Sequence, residues 1–143
     1  MCKEVVSRSE IVGSFLRPKK LKAARETYQA RGITFEALTA IENQTITELV
    51  TKQKEVGLTY ISDGEFRRSY WHLDFFWGLN GVEHTIKEQG YLFHGEETRP
   101  DSAWLTNKVA YHSAHPVFEE FLFLKNLVDV ETIRQSIPAP HNC

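Results

Sequence analysis

A long amphipathic helix followed at once by a short apolar run constrains the fold of this chain most. Between Phe35 and Val56, apolar residues recur at spacings of three and four, which predicts one helix. Thr34 is suited to cap its start, and Gly57 is suited to end it. The apolar run 58–62 follows without a linker and predicts a buried strand. Helices and strands joined by short links are typical of a parallel α/β unit.

The remaining pattern extends this α/β reading over the whole chain. An aromatic-rich segment at 69–81 has partly helical spacing, and a long polar excursion follows it, which is either a hairpin or an irregular loop. The further predicted elements are a first strand within 4–13, a helix at 21–30 begun by Pro18, strands at 104–111 and 131–137, and a helix at 117–128 begun by Pro116. The sequence therefore predicts about three parallel strands with helices and a β-rich insertion at about 81–115. These elements form either a small open α/β domain or the front part of a larger fold.

The predicted strand 58–62 ends in Asp63-Gly64-Glu65, and two readings of this segment stay open. Gly64 permits a sharp turn, which places both carboxylates at the carboxyl end of a strand, where α/β folds bind their ligands. Alternatively, the segment is a solvated loop whose carboxylates pair with Arg67 and Arg68.

Two other stretches have both a structural and a functional reading. Gly13-Ser14 follows the apolar pair at 11–12, where it is either a plain strand-to-helix turn or a place where a ligand approaches backbone N–H groups. The aromatic residues at 70–77 either pack a core or form one wall of a ligand pocket. Residue types alone favour the structural reading for both stretches.

Composition and charge exclude several classes of protein. The chain has 143 residues, which predicts one domain, and its net charge of −2 does not favour a nucleic-acid surface. It has neither an apolar run of about 20 residues that could span a bilayer nor the apolar core of a signal peptide. We therefore expect a cytoplasmic protein with no membrane or nucleic-acid partner.

The residues that could bind metal do not form a recognisable site. Cys2 and Cys143 are the two cysteines, one near each end, and a disulfide between them has no support in a cytoplasmic protein. The six histidines form no pattern typical of zinc ligands. His112 and His115 are three residues apart, but Pro116 follows them, so we do not expect them to share a helix face.

Taken in order, three motifs of the chain resemble the catalytic barrel of cobalamin-independent methionine synthases, especially the short single-barrel bacterial ones. The resemblance runs from about residue 6 to residue 140 and includes Trp77-Gly78-Leu79-Asn80-Gly81 and Ile137-Pro138-Ala139-Pro140. The three motifs are Ile11-Val12-Gly13-Ser14-Phe15-Leu16-Arg17-Pro18, Gln53-Lys54-Glu55-Val56-Gly57-Leu58 and Ser62-Asp63-Gly64-Glu65-Phe66-Arg67-Arg68.

This resemblance implies a (β/α)₈ TIM barrel that transfers a methyl group from 5-methyltetrahydrofolate to the thiol of homocysteine. On matching positions, Val12, Gly13 and Ser14 hold the amino-acid end of homocysteine, and Glu65 binds its ammonium group. The folate contact falls at Thr98-Arg99. A carboxylate is suited to an ammonium group, and backbone N–H groups are suited to a carboxylate.

The chain departs from the family in its metal chemistry. The resemblance implies a zinc ion that activates the homocysteine thiol, but the family's zinc ligands and proton-donating histidine belong to later strands, whose motifs this sequence lacks. A free thiol with a pKa near 8.5 is mostly protonated at pH 7, so we expect these 143 residues alone to react slowly if at all. They then correspond to the first part of a partial barrel.

Two alternatives follow from this departure. The chain is either a non-catalytic fragment or half of a split enzyme, and an open barrel edge then predicts self-association or a complementing chain. The other alternative keeps the barrel but changes the reaction, as in a porphyrin-precursor decarboxylase or another zinc-dependent thiol methyltransferase. The pair of Gly13-Ser14 and Glu65 favours an amino-acid thiol.

Overall fold

The described part of the chain divides into two compact units. The computed structural model describes residues 11–70, 72–90 and 92–138. Within these ranges, unit 1 comprises 11–67 and 120–136, and unit 2 comprises 68–119 and 137–138. Helix α4 (Pro116–Lys125) gives its first residues to unit 2 and the rest to unit 1. The predicted first strand lies mostly outside the described residues, and 11–13 are not in a strand.

Unit 1 begins with two helices that confirm the sequence prediction. Helix α1 (Lys19–Gln29) starts directly after Pro18, two residues earlier than predicted. Helix α2 (Phe35–Glu55) starts where the Thr34 hydroxyl accepts a hydrogen bond from the N–H of Ala37. At the far end of α2, Gly57 has φ +78°, and two backbone hydrogen bonds close a Schellman turn there.

Removal of the cap at the start of α2 has a measurable cost. We expect Thr34→Ala to lower the free energy of unfolding by about 1 kcal/mol, because the N–H of Ala37 loses its partner. Thr34→Ser keeps the hydroxyl oxygen and is the matched control. Urea unfolding followed by circular dichroism measures both variants, and equal losses in the two would contradict a capping role.

The predicted strands of unit 1 are much shorter than expected. A parallel bridge between Ile61 and Ile133 takes the place of the strands predicted at 58–62 and 131–137. The Ile61 N–H donates to the Thr132 carbonyl at 2.8 Å, and the Ile61 carbonyl accepts from the Arg134 N–H at 2.9 Å. A 3₁₀ turn (Val130–Thr132) fills the start of the second predicted strand. The predicted extent of both strands is therefore wrong, although one residue of each takes part in a parallel bridge.

The core of unit 1 forms where both helices meet this bridge. Ile46 and Val50 of α2 pack with Leu21 of α1, because the apolar stripes of the two helices face each other. The last part of α4 contributes a fully buried leucine. Among the described residues, the buried members of this core cluster are Leu21, Ile46, Val50, Ile61, Phe66 and Leu124.

Unit 2 is built on an antiparallel hairpin of strands β1 (Asn80–Ile86) and β4 (Asp101–Ala110). Between them lies a small second hairpin of β2 (Leu92–Phe93) and β3 (Glu96–Glu97). This arrangement confirms the hairpin reading of the excursion. Helix α3 (Leu73–Trp77) precedes β1 and is shorter than the predicted helical stretch.

The β1–β4 ladder contains a wide irregularity. Asn80 pairs with Ala110, but Val82 already pairs with Leu105, so several residues of β4 lie opposite Gly81 alone. Gly81 has φ +82°, a conformation that favours glycine. The described residues thus form a mixed helix and strand structure that is compatible with a partial α/β fold. None of the helices in the described ranges is long and apolar enough to cross a membrane.

Candidate functional site

Unit 1 brings together two of the segments that the sequence singled out. The loop of residues 12–17, called the amino-terminal loop below, lies against the turn of residues 62–66, called the acidic turn. The Phe15 N–H donates to the Gly64 carbonyl at 3.1 Å, and Arg17 Nη2 donates to the Glu65 carbonyl at 2.8 Å. Residues almost fifty positions apart in sequence are therefore neighbours. This proximity is what a shared amino-acid site requires.

Side chains from the helices hold the acidic turn at its ends. Gln53 of α2 binds both backbone groups of Ser62: its amide nitrogen donates to the Ser62 carbonyl at 2.8 Å, and its oxygen accepts from the Ser62 N–H at 3.1 Å. At the other end, Arg25 Nη2 donates to the Phe66 carbonyl at 2.6 Å. The turn is therefore fixed by α1 and α2 rather than by a sheet.

The two carboxylate residues of the turn are buried, so the turn is not a solvated loop, whereas the pairing with Arg68 stays a prediction. Asp63 and Glu65 are 4% and 9% exposed, and Arg67 pairs elsewhere. Asp63 Oδ1 accepts from the Glu65 N–H at 2.9 Å. Within the described residues, the buried Asp63 Oδ2 has no hydrogen-bond partner.

Glu65 itself has a strained backbone. Its φ of +56° lies in the left-handed region, which is uncommon for a residue other than glycine. Such a conformation costs on the order of 1–3 kcal/mol and persists only where the surroundings enforce it. Strain of this kind concentrates at ligand sites, so its presence at the predicted ammonium-binding residue favours a functional reading of the turn.

A buried ionic cluster below the turn was missed by the sequence analysis. Glu42 of α2 accepts from Arg25 Nη2 at 2.8 Å and lies 3.6 Å from Arg67 Nη1. Arg67 also donates to Asn43 at 2.7 Å and stacks on the ring of Phe123. Arg25 thus joins Glu42 to the acidic turn.

Burial raises the pKa of the Glu42 carboxyl, and the two guanidinium groups oppose that shift only in part. A signal for this cluster was present in the sequence. Glu42 lies four residues after Leu38 and four before Ile46, inside the apolar stripe of α2. A charged residue on a stripe that faces the core needs a buried partner. The position of Glu42 alone therefore predicts a buried cationic partner.

The first residues of the amino-terminal loop are exposed. Val12, Gly13 and Ser14 are all exposed, and Val12 retains 86% of its accessible surface. Gly13 has φ +85° with no atom within 4 Å of the position that a Cβ would occupy. Open space beside backbone N–H groups is suited to a carboxylate ligand.

Thr98 and Arg99, the predicted folate contacts, lie in unit 2. The guanidinium carbon of Arg99 lies 4.4 Å from the ring centroid of Tyr70, and Arg99 Nη2 is 3.3 Å from the Ser69 carbonyl oxygen. Thr98 lies close to Gly90, and a Cβ at Gly90 would overlap the Thr98 carbonyl oxygen.

Next to Arg99, a hydrogen-bond chain links Tyr70, which precedes helix α3, to the hairpin. The Tyr70 hydroxyl donates to Asp101 Oδ2 at 2.6 Å, and His84 Nε2 lies 2.6 Å from Asp101 Oδ1. Burial and the hydrogen bond to Asp101 raise the pKa of Tyr70 to about 12. The same hydrogen bond lowers the pKa of Asp101. Tyr70 is therefore a protonated donor at neutral pH.

Aromatic rings of unit 2 pack mostly on each other and on histidines. Trp77 lies with its centroid 4.2 Å from the ring of His84, and Phe75 lies 4.8 Å from His115. His115 is buried, and its ring nitrogens are bound to the Phe75 carbonyl and the Val117 N–H. The rings of Phe75 and Trp77 are half-buried and neither belongs to the described core cluster, so their role as core or as pocket wall stays a prediction.

The described residues do not fit a zinc site. Within 11–70, 72–90 and 92–138, no three histidine, cysteine, aspartate or glutamate side chains are grouped so that they could hold a metal ion. His112 lies outside α4, so it and His115 share no helix face, as predicted. Cys2 and Cys143 lie outside the described residues.

Comparison with known proteins gives a consistent result. No protein-family profile matches the chain. Two Bacillus subtilis proteins, the uncharacterized proteins YxjH and YxjG, are 44% and 41% identical to it over 134 residues. These matches cover 94% of this chain but 35% of each relative, so the chain spans about a third of their length.

Two solved structures resemble the chain. One, from Listeria monocytogenes, is described as a candidate vitamin-B12-independent methionine synthase; it has a TM-score of 0.73 and 42% identity, over 92% of this chain and 36% of that one. The other is a B12-independent methionine synthase from Shewanella sp. W3-18-1, with a TM-score of 0.56 and 21% identity, over 76% of this chain and 31% of that one. The second likeness bears on the fold alone, and the first supports a methionine-synthase-like family.

Proposed function

We propose that this chain belongs to the cobalamin-independent methionine synthase family and supplies the amino-acid end of a homocysteine site. The observation that carries this proposal is the contact between the amino-terminal loop and the acidic turn, made by the Phe15 N–H and the Gly64 carbonyl. The likeness to the Listeria structure, at 42% identity, supports the same family. The fold we propose is the first part of a (β/α)₈ barrel.

In this site, the two segments hold opposite charges of one small molecule. The Glu65 carboxylate binds the ammonium group of homocysteine, because an ionic hydrogen bond is strongest where water is largely excluded. Val12, Gly13 and Ser14 offer exposed backbone to the carboxylate. The thiol is left to groups beyond these contacts.

The complete reaction is proposed for the family rather than for these residues alone. It transfers the methyl group of 5-methyltetrahydrofolate to the homocysteine sulfur and gives methionine. We assign Thr98 and Arg99 to the folate contact, which Arg99 supports by presenting a guanidinium group beside an aromatic ring. Zinc is expected in the family, but the described residues do not supply its ligands, so we derive no catalytic step from it.

A complementing chain, or a second copy of this one, is the partner that we propose. The chain spans 35% of the length of its curated relatives. Apolar side chains on the hairpin, Trp104 and Leu105 among them, are more than 60% exposed and are suited to such contacts.

Homocysteine binding tests the proposed site directly. By calorimetry, we expect Glu65→Gln to raise the Kd for homocysteine roughly 10- to 100-fold, because a hydrogen bond to a charged group is lost. The matched control is Glu55→Gln, an exposed residue of α2 whose replacement changes the net charge equally.

A second ligand separates recognition of the ammonium group from general damage. 4-Mercaptobutyrate has the thiol and the carboxylate of homocysteine but no ammonium group. We expect it to bind the native chain and Glu65→Gln equally weakly. If the native chain does not bind homocysteine, or if Glu55→Gln weakens binding as much as Glu65→Gln, the proposed site is wrong.

A further inference from the structure

The position of the Glu65 carboxylate depends on a backbone conformation that the residue would not adopt by itself. Its φ of +56° is left-handed, and a residue with a Cβ leaves this region unless its neighbours hold it. If Glu65 returned to an extended or right-handed conformation, its side chain would leave from a different direction. Whatever holds this backbone therefore also sets where the carboxylate lies.

Both backbone polar groups of Glu65 are held by side chains. Its N–H donates to Asp63 Oδ1 at 2.9 Å, a contact made within the acidic turn. Its carbonyl accepts from Arg17 Nη2 at 2.8 Å, and Arg17 comes from the amino-terminal loop. Arg17 is thus the side chain that joins the two halves of the proposed amino-acid site.

The place of Arg17 in the chain makes it a stiff connection. It follows Ser14 by three residues and directly precedes Pro18, the N-cap of α1, whose φ is −59°. Between them, Phe15 donates its N–H to the Gly64 carbonyl at 3.1 Å. A displacement of the loop would have to break both hydrogen bonds to the acidic turn.

We propose that Arg17 is a positioning residue that keeps Glu65 in its left-handed conformation at a fixed separation from the amino-terminal loop. This inference rests on the proposed function, because it assigns the ammonium group to Glu65 and the carboxylate to the loop. A fixed separation selects ligands that carry both groups on one carbon. Arg17 is therefore a determinant of specificity for α-amino acids.

The guanidinium group is needed for its shape as well as its charge. A planar fork directs its N–H groups along fixed lines, whereas a lysine ammonium group is a compact point charge on a flexible stem. If Arg17 acted only by its charge, Arg17→Lys would behave like the native chain. Positioning predicts that Arg17→Lys falls between the native chain and Arg17→Ala.

The test combines a structural measurement with a binding measurement on the full chain. A positive φ gives a strong intraresidue NOE between the amide and α protons, and we expect Arg17→Ala to weaken this NOE at Glu65. By calorimetry, we expect its Kd for homocysteine to rise about 10-fold, the value of one hydrogen bond that involves a charged group. Lys52→Ala, an exposed position on α2, is the control and should change neither measurement.

Each outcome decides the inference. An unchanged NOE at Glu65 in Arg17→Ala overturns it, whether or not the Kd rises, because Arg17 would then act directly or not at all. If the native chain fails to bind homocysteine, the proposed function fails, but the NOE still shows whether Arg17 holds the turn. Should Arg17→Ala fail to fold, Arg17→Gln is measured in the same way.

Discussion

Glu42→Ala is expected to lower the free energy of unfolding by about 3–5 kcal/mol, because it leaves buried guanidinium groups without their carboxylate. Arg25 and Arg67 both contact Glu42, and the side chains of all three are less than one fifth exposed. Urea unfolding followed by the helical signal of circular dichroism measures this loss. Since Arg25 also binds the Phe66 carbonyl, the loss should extend to the acidic turn.

Glu42→Gln is the matched variant, and it has a pH dependence with a definite sign. Burial raises the folded-state pKa of Glu42 above 4.5, so its contribution to stability is present below that pH and is lost as the pH rises through the folded-state pKa. Glutamine does not titrate. We therefore expect Glu42→Gln to gain stability relative to the native chain as the pH rises from 4, and a stability difference between the two that does not change with pH would contradict the raised pKa of Glu42.

Gly81→Ala is expected to destabilise the β1–β4 hairpin by about 2–4 kcal/mol, through left-handed strain and steric overlap together. A Cβ at this position would lie 2.6 Å from the Lys108 carbonyl oxygen and 2.8 Å from that of Asn107. These are backbone atoms, so no side-chain rotation relieves the overlap. Hydrogen exchange of the β4 amides measures the loss within unit 2.

Gly95→Ala separates the two causes. Gly95 has φ +87°, close to that of Gly81, but no atom lies within 4 Å of its Cβ position. We expect it to cost about 1 kcal/mol, the strain alone. Equal losses of stability at both positions would show that the backbone of β4 opposite Gly81 moves to relieve the overlap.

Local signals explain which elements could be predicted from the sequence. The bounds of α2 follow from a capping threonine, an apolar stripe and a terminal glycine, all within the helix or next to it. The hairpin of unit 2 was equally readable, since its strands are close in sequence. Elements that are defined by their own residues can therefore be predicted without knowing which distant segments they contact.

The prediction of the parallel strands failed, because the length of each strand depends on residues that are distant in sequence. Strands were predicted at 58–62 and 131–137, but pairing is confined to Ile61 and Ile133. Next to this bridge, a side chain takes the place of a neighbouring strand: Gln53 binds both backbone groups of Ser62. No pattern within 58–62 indicates that a side chain, rather than a strand, binds the backbone of Ser62.

The candidate site shows the same division between local and distant information. Asp63-Gly64-Glu65 was recognisable as a turn after an apolar run, and the resemblance supplied the role of Glu65. That Arg17 reaches Glu65 over 48 positions was not recognisable, because this contact depends on where α1 and α2 place the two segments. The binding roles of Val12, Gly13, Ser14, Glu65, Thr98 and Arg99 stay predictions.

The two hydrogen bonds between Gln53 and Ser62 also limit which strands can be added to the bridge at Ile61. In a parallel strand, successive residues direct their backbone groups to opposite sides, and Ile61 uses both of its groups toward the segment around Ile133. Ser62 directs its groups to the other side, where the Gln53 amide binds both of them. A strand arriving on that side finds no free donor or acceptor at Ser62. Helix α2 therefore blocks the extension of a sheet at Ser62, on the side opposite the segment around Ile133.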